Sequence, residues 1–371
     1  MYQRGAWVTV DLSAIAHNVS TLKGLTAPGT LFMAVVKSDA YGHGAVPVAR
    51  RAIDAGADRL GVATVEEAIS LRTAEIDQEI HILSEPPQSA VPDLLKYELI
   101  PTVTTRDFAV KLGMEAASAG RKARYHLEID TGMNRIGVRA EESAEFLRSL
   151  SDFPGLSMEG VFTHFATADI PEDWDFQRQM RRFLDALESL RDEGIDPGIV
   201  HAANSAATIF QPESHFGMVR CGLGIFGMYP SPQAREVVKL SPAMSVRAKV
   251  SFVKRIGMGE GVSYGFTWRA VEPSTIVTLP LGYADGVHRA ASDKMQVLLA
   301  SARCPQVGRI CMDQMMVALP RGSGAAIGDE VVIVGVQGDE RIDMEELAHS
   351  AETINYELAC AFGLRLPRRY V

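Results

Sequence analysis

The chain has 371 residues, 47% hydrophobic and 22% charged, with a formal net charge of −9. Such a length asks for about two domains, and the balance is that of an ordinary folded protein rather than a disordered or membrane-embedded one. The negative charge argues against nucleic acid or anionic lipid as partners. Cys221, Cys304, Cys311 and Cys360 form no C-x-x-C pair, so neither a metal site nor a disulfide framework is indicated.

The opening "MYQRGAWVTVDLSAIAHNV" is interrupted by Asp11 and His17 and lacks the apolar centre of a signal peptide. No later run approaches the roughly 18 apolar residues of a membrane span. A cytoplasmic location is expected. From residue 31 a unit recurs: a short Val-, Ile- and Leu-rich run, a loop, and a stretch with helical spacing. The runs are "LFMAVV", "RLGVATV", "EIHILS", "LIPTVTT", "RYHLEID", "MEGVFTHF", "GIVHAAN" and "GMVRCGLGIFG". Helix candidates between them include "AVPVARRAIDAG", "VEEAISLRTA", "RDFAVKLGMEAASAG", "EESAEFLRSL" and "DFQRQMRRFLDALESLRDEG". Strands without strict polar alternation that alternate with helices predict a parallel sheet covered by helices. Eight such units fit an α/β fold with a closed (β/α)8 barrel over residues 1–240.

After about residue 240 the texture changes. "SVRAKVSFVKRIG", "STIVTLPLGY", "MQVLLASARCPQVGRICMDQMMVALP" and "DEVVIVGV" are β-branched runs between Gly, Pro and Asp turns. Helical spacing returns only at "MEELAHSAETINYELACAF". A separate, mostly β C-terminal domain over 241–371 follows, bounded near "YPSPQAREVVKLSPAMS".

A barrel gathers its functional groups where strands end at the C-terminal face. Reading those ends in order gives Lys37, Thr64, Ser84, Thr104, Asp130, His164, Asn204 with Ser205, and Arg220. Many strand ends are polar without further purpose. Lys37 fits that explanation poorly, because an ammonium directly after a buried strand is costly unless paired or neutralised. A lysine in a low-dielectric pocket loses its proton more readily and can form a Schiff base with an aldehyde. Pyridoxal 5'-phosphate is the obvious aldehyde. "ANSAAT" at 203–208 and "CGLGIFG" at 221–227 offer a helix start and a glycine-bearing loop late in the barrel, where barrels commonly hold phosphate.

The combination is more specific than any part. "AVVKSDAYGHG", "DTGMNRIG", "FTHFATAD", "ANSAAT", "VRCGLGIFGMYP", "GVSYGFTW", "LGYADG", "VGRICMDQ" and "TINYEL" occur in this order along nearly the whole chain, and together they resemble the alanine racemase family. The resemblance implies an isomerase that interconverts L- and D-alanine with pyridoxal 5'-phosphate, supplying D-alanine for peptidoglycan. It puts the cofactor on Lys37 and the second base on Tyr264. Family members are homodimers in which the β domain of one subunit covers the barrel mouth of the other, so active sites are shared.

Racemisation requires acid/base groups on opposite faces of Cα, and the resemblance assigns Lys37 to the D-substrate face and Tyr264 to the L-substrate face. It places Arg220 at the pyridine nitrogen; an arginine holds its own proton and would leave that nitrogen unprotonated. His164 packs at the ring or bonds Arg220. Tyr41, Ser205 with its neighbour Asn204, the backbone at Gly222 and Leu223, and Tyr356 match phosphate- and cofactor-binding positions. Arg135 and the backbone of Met312 match contacts to the substrate carboxylate, while Tyr283 and Asp313 support the site. Tyr264 and Tyr356 narrow the entrance. Where the family often carries a carbamylated lysine, seven residues before this arginine, the chain has Glu128. The expectation is that its carboxylate supplies the same negative charge by pairing with Arg135. No metal is expected. The alternatives are a broader-specificity racemase, a decarboxylase of the same architecture, which would show an acidic partner in place of Arg220, and a pyridoxal-phosphate carrier protein.

Overall fold

In a computed structural model, which describes residues 5–170 and 172–371, the chain forms two compact units. One comprises Ala14–Ala40 and Ala45–Ser241; the other comprises Tyr41–Gly44, Pro242–Val371 and the described residues up to Ser13. The first strand in the chain, β1 (Ala6–Val10), pairs antiparallel with Met244–Lys249 and parallel with Arg368–Tyr370. The units divide between Ser241 and Pro242, beside the expected boundary, and two short segments of the expected barrel join the second unit. Residues 5–13 and Tyr41–Gly44 group with the second unit. The reason is physical: β1 finds its hydrogen-bond partners more than two hundred residues away, and nothing local in "AWVTV" announces that.

The first unit is a closed barrel of eight parallel strands: β2 (Leu31–Val35), β3 (Arg59–Val62), β4 (Glu79–Ile82), β5 (Ile100–Val103), β6 (Ala123–Asp130), β7 (Leu156–Phe162), β8 (Ile199–His201) and β9 (Met218–Cys221). Each pairs with the next, and β9 returns to β2 with Arg220 opposite Met33. The strands are almost continuously buried, as β9 shows at all four positions, because both faces of a barrel strand are covered. Helices follow the strands, and four of them begin on a side-chain cap. Thr64 caps Val65–Thr73 in a capping box with Glu67, Thr105 caps Arg106–Ser118, Asp173 caps Trp174–Asp192 and Asn204 caps Ser205–Phe210.

One departure from regular pairing lies inside the barrel. The register between β6 and β7 shifts so that Tyr125 faces Met158 while His126 faces Gly160. Glu159 is the extra residue, a β-bulge, and a bulge re-aims the side chain it carries.

The second unit is mostly β. Its larger sheet runs through Ala302–Pro305, Gln296–Leu299, Glu330–Gln337, Met244–Lys249, β1 and Arg368–Tyr370, and a smaller sheet joins Phe252–Ile256, Ser274–Leu279 and Met315–Ala318. Two short helices, Met344–Ser350 and Asn355–Ala361, lie in the predicted helical stretch.

Candidate active site

At the C-terminal end of β2 the chain leaves Val36 and makes an unusual turn. Ser38, Asp39, Ala40 and Tyr41 all have φ between 51° and 54°, and the Ala40 amide closes the turn on the Val36 carbonyl at 2.9 Å. Four successive non-glycine residues in the left-handed region cost roughly 1 kcal/mol or more apiece, so the turn needs anchors. Glu67 supplies one: its carboxylate accepts from the Ser38 amide at 2.6 Å as well as from Ala63 and Thr64. Asp39 supplies another by accepting from the Ala45 amide at 2.7 Å. Lys37, half-buried, stands at the start of this clamped turn.

Arg220 rises from β9 with only 4% exposure. Its Nη1 donates to His201 Nδ1 at 2.9 Å, and its Nη2 donates to the carbonyls of Thr163 and Ala202 and to His164 Nδ1 at 3.2 Å. Burial pulls Arg220 down to about 10, with Glu128 opposing the shift and Arg135 adding to it; it remains a cation at neutral pH. His164 is held well below the ordinary histidine value by burial and then by the charges of Arg220, Arg135 and Lys37. Lys37 thus lies within electrostatic reach of His164.

Ser205, buried at the start of its helix, accepts from the amides of Gly222 at 3.0 Å and Gly224 at 3.2 Å. Both acceptor positions of the hydroxyl are used by the loop, which leaves its proton to donate. Leu223 begins the 3-10 turn of that loop. Asn204 spends its side chain on the fold: Oδ1 accepts from Ala207 and Nδ2 donates to the Phe165 carbonyl. Asp130 likewise organises its own loop, accepting at 3.0 Å from both Gly132 and Asn134. Asn134 has φ 55°, a conformation in which an asparagine can stand for glycine. Arg135 in the same loop is exposed.

Glu128 differs from expectation. It is 3% exposed, and its Oε2 is buried without a hydrogen-bond partner. The expected ion pair with Arg135 is not formed, because the short carboxylate arm stays inside the barrel while Arg135 sits on an exposed loop. Burial raises the Glu128 carboxyl to about 7, with the charges of Arg220 and Arg135 working against that rise and Asp130 adding to it.

The remaining sequence-predicted residues belong to the second unit. Tyr41 and Tyr356 bring their rings to 6.3 Å between centroids. Burial, then Tyr356 and Cys360, push the Tyr41 phenol above its ordinary value, so it stays a donor. Tyr264 opens a short 3-10 turn and is 71% exposed; Met312 is 53% and Tyr283 42% exposed. The Tyr283 amide donates to the Cys311 carbonyl, and Asp313 accepts from Arg365 at 2.5 Å.

Sequence reasoning missed Glu67 and the partners of Arg220. His201 was legible in one respect: "EIHIL", "RYHLEI" and "GIVHAA" each set a histidine inside an apolar strand run, a recurrence that marks an internal polar cluster.

The comparisons with known proteins agree along the whole chain. Residues 10–230 match the family description "Alanine racemase, N-terminal domain" and residues 243–370 match "Alanine racemase, C-terminal domain". An alanine racemase of Desulfovibrio desulfuricans is 42% identical over 370 residues, covering 100% of this chain and 99% of its own. One of Symbiobacterium thermophilum is 43% identical over 99% of this chain and 97% of its own. Among solved structures, alanine racemase from Bacillus anthracis with bound L-Ala-P superposes with a TM-score of 0.94 at 40% identity, covering 100% of this chain and 96% of that one. Two family domains in sequence and full-length agreement in fold make this chain a member of the alanine racemase family, an enzyme that interconverts L- and D-alanine.

Proposed function

We propose that the enzyme works with pyridoxal 5'-phosphate held covalently by Lys37, and that it moves the Cα proton of alanine between Lys37 and Tyr264 on opposite faces. The donor set fits that cofactor. A phosphate dianion needs N–H and O–H donors rather than a metal; in the barrel the Ser205 hydroxyl, whose proton is left to donate, and the Leu223 amide are of that type, and Tyr41 and Tyr356 of the second unit carry phenol donors. Asn204 serves by fixing the helix that presents Ser205. The observation that carries the reading is Arg220: a buried guanidinium whose hydrogen bonds go to two imidazoles and two carbonyls, with no carboxylate among them. Were a pyridine nitrogen held against it, this guanidinium could only donate and would leave that nitrogen unprotonated.

When bound, the cofactor withdraws electrons from substrate Cα and weakens its C–H bond. The chain does the rest. Lys37, at the start of the clamped turn, would take or return the proton at Nζ on one face. Tyr264 gives a proton from its hydroxyl on the other side, and the roles reverse for the opposite enantiomer. Arg135 and the Met312 amide hold the substrate carboxylate, with Tyr283 and Asp313 supporting the segment that carries Met312. Glu128, its carboxyl raised by burial, alters the field felt by Arg220 and Arg135 through its protonation state.

Tyr264 and Met312 are exposed on their own chain, which supports a homodimer in which each subunit completes the other's barrel mouth. Among the described residues no helix is long and apolar enough to cross a membrane. We place the enzyme in the cytoplasm, feeding D-alanine to peptidoglycan synthesis. The test is borohydride reduction of the holoenzyme followed by peptide mapping: the cofactor label is expected on Lys37, and a label on any other lysine overturns the assignment. L-alanine in deuterated water is expected to yield both enantiomers carrying deuterium at Cα.

A further inference from the structure

The partners of Arg220 do not end at His201. His201 Nε2 lies 2.7 Å from His126 Nδ1, and His126 Nε2 lies 3.2 Å from Glu159 Oε2. Glu159 is gripped by Arg59 through both nitrogens at 3.1 Å and by Arg124 at 3.2 Å. Arg59 and Glu79 begin β3 and β4, so this end of the chain of bonds lies at the N-terminal end of the barrel. A continuous polar path thus crosses the barrel interior from its floor to Arg220.

Its direction is fixed by chemistry. A guanidinium only donates, so His201 Nδ1 must accept, and a neutral His201 then carries its proton on Nε2. His126 must accept that proton's bond at Nδ1 and donate from Nε2 to Glu159. Both imidazoles are held neutral: burial lowers His201 and His126, and nearby arginines add to the effect. Glu159 behaves oppositely. Burial would raise it, but hydrogen bonds from His126 and Arg59 and the Arg59 charge hold it well below the usual carboxylate range.

Two backbone features make room for this path. The bulge turns Glu159 toward His126. A Cβ at Gly160 would fall 2.6 and 2.7 Å from ring atoms of His126 and 2.3 Å from the Ile199 carbonyl. His81, His126 and Glu159 also form a cluster of metal-ligand type, but Arg59 Nη1 donates to His81 Nε2 at 2.8 Å. The guanidinium already occupies the place of a cation.

We propose that Glu159 is a remote positioning residue for the racemase reaction. It terminates a one-way chain through His126 and His201 that fixes both tautomers and so fixes which way Arg220 presents its remaining N–H groups. The inference rests on the reading of Arg220 given above. It is tested on holoenzyme labelled with 15N in histidine and reconstituted with cofactor labelled at the pyridine nitrogen. In the unaltered enzyme His201 and His126 are expected as neutral Nε2–H tautomers at neutral pH; either one protonated on Nδ1 overturns the proposal.

E159L should raise the Nδ1–H population of His201, move the pyridine 15N signal and lower kcat roughly tenfold at unchanged KM, the scale of one charge-assisted hydrogen bond. H126F cuts the chain at its middle and reads the same quantities should E159L fail to fold. R220K separates the two levels of the argument. If R220K leaves the pyridine signal in place, the reading of Arg220 fails; if R220K moves it while E159L and H126F leave both signal and kcat unchanged, only the relay fails.

Discussion

Glu128→Gln should change how stability depends on pH more than it changes the fold. The carboxyl is 3% exposed, with one oxygen lacking any partner, and it titrates near 7 instead of its ordinary 4.5. Between those values the native chain keeps a proton that the unfolded chain has released. Stability therefore falls as pH rises through this window, by about 3 kcal/mol in all for a shift of that size. E128Q carries no ionisable group there, so its advantage over the unaltered protein should be near zero at pH ~4.5 and should grow to about 2–3 kcal/mol at pH ~8. Any fixed cost of burying the amide moves the whole curve and leaves its slope alone. Urea unfolding of the two apoproteins at one protein concentration measures this. The buried histidines titrate alike in both and cancel in the difference. Parallel curves from acid to neutral pH would refute the reasoning. So would the reverse slope, with E128Q the less stable above neutrality, because that is the signature of a carboxylate paired with Arg135.

Glu67→Gln weakens the capping box of Val65–Thr73 and the anchor on the Ser38 amide; a loss of about 1 kcal/mol in unfolding free energy and a lower kcat are expected, read by urea titration and steady-state rates. Gly160→Ala forces β7 away from His126 and Ile199, costing about 2–3 kcal/mol, visible as a lowered Tm. Tyr264→Phe should slow racemisation in both directions by at least tenfold, the low end of a general-acid contribution, while cofactor binding by absorbance persists; full activity would remove Tyr264 from the mechanism.

How much of this was legible depends on whether the signal was local. The eight apolar runs, their helices and the change of texture after residue 240 follow from periodicity, and the barrel then says where strand ends meet. It does not say which polar strand end does what. Thr64 and Asn204 turn out to be helix caps, and Asp130 holds its own loop, whereas Lys37 opens a left-handed turn and Arg220 anchors a chain of buried imidazoles. β1 was invisible as a partner of Met244–Lys249 because pairing across that separation leaves no trace in either segment. The turn at Ser38–Tyr41 was equally hidden, since nothing in "SDAY" distinguishes a left-handed turn held by Glu67 from an ordinary helix start.

The misjudged partner of Arg135 shows where spacing arguments stop. Seven residues separate Glu128 from Arg135, enough to allow contact through a long carbamylated lysine, but a glutamate arm is shorter by the carbamate and part of the aliphatic stem. The consequence is a carboxyl stranded between Arg220 and Arg135, close enough to feel both charges and too short to bond either. A group in that position changes the charge beside Arg220 and Arg135 by one unit as it takes up or releases its proton. Affinity for an anionic cofactor should then strengthen as pH falls toward neutrality from above, as Glu128 takes up its proton, and E128Q should bind that cofactor with a flatter pH profile over the same window.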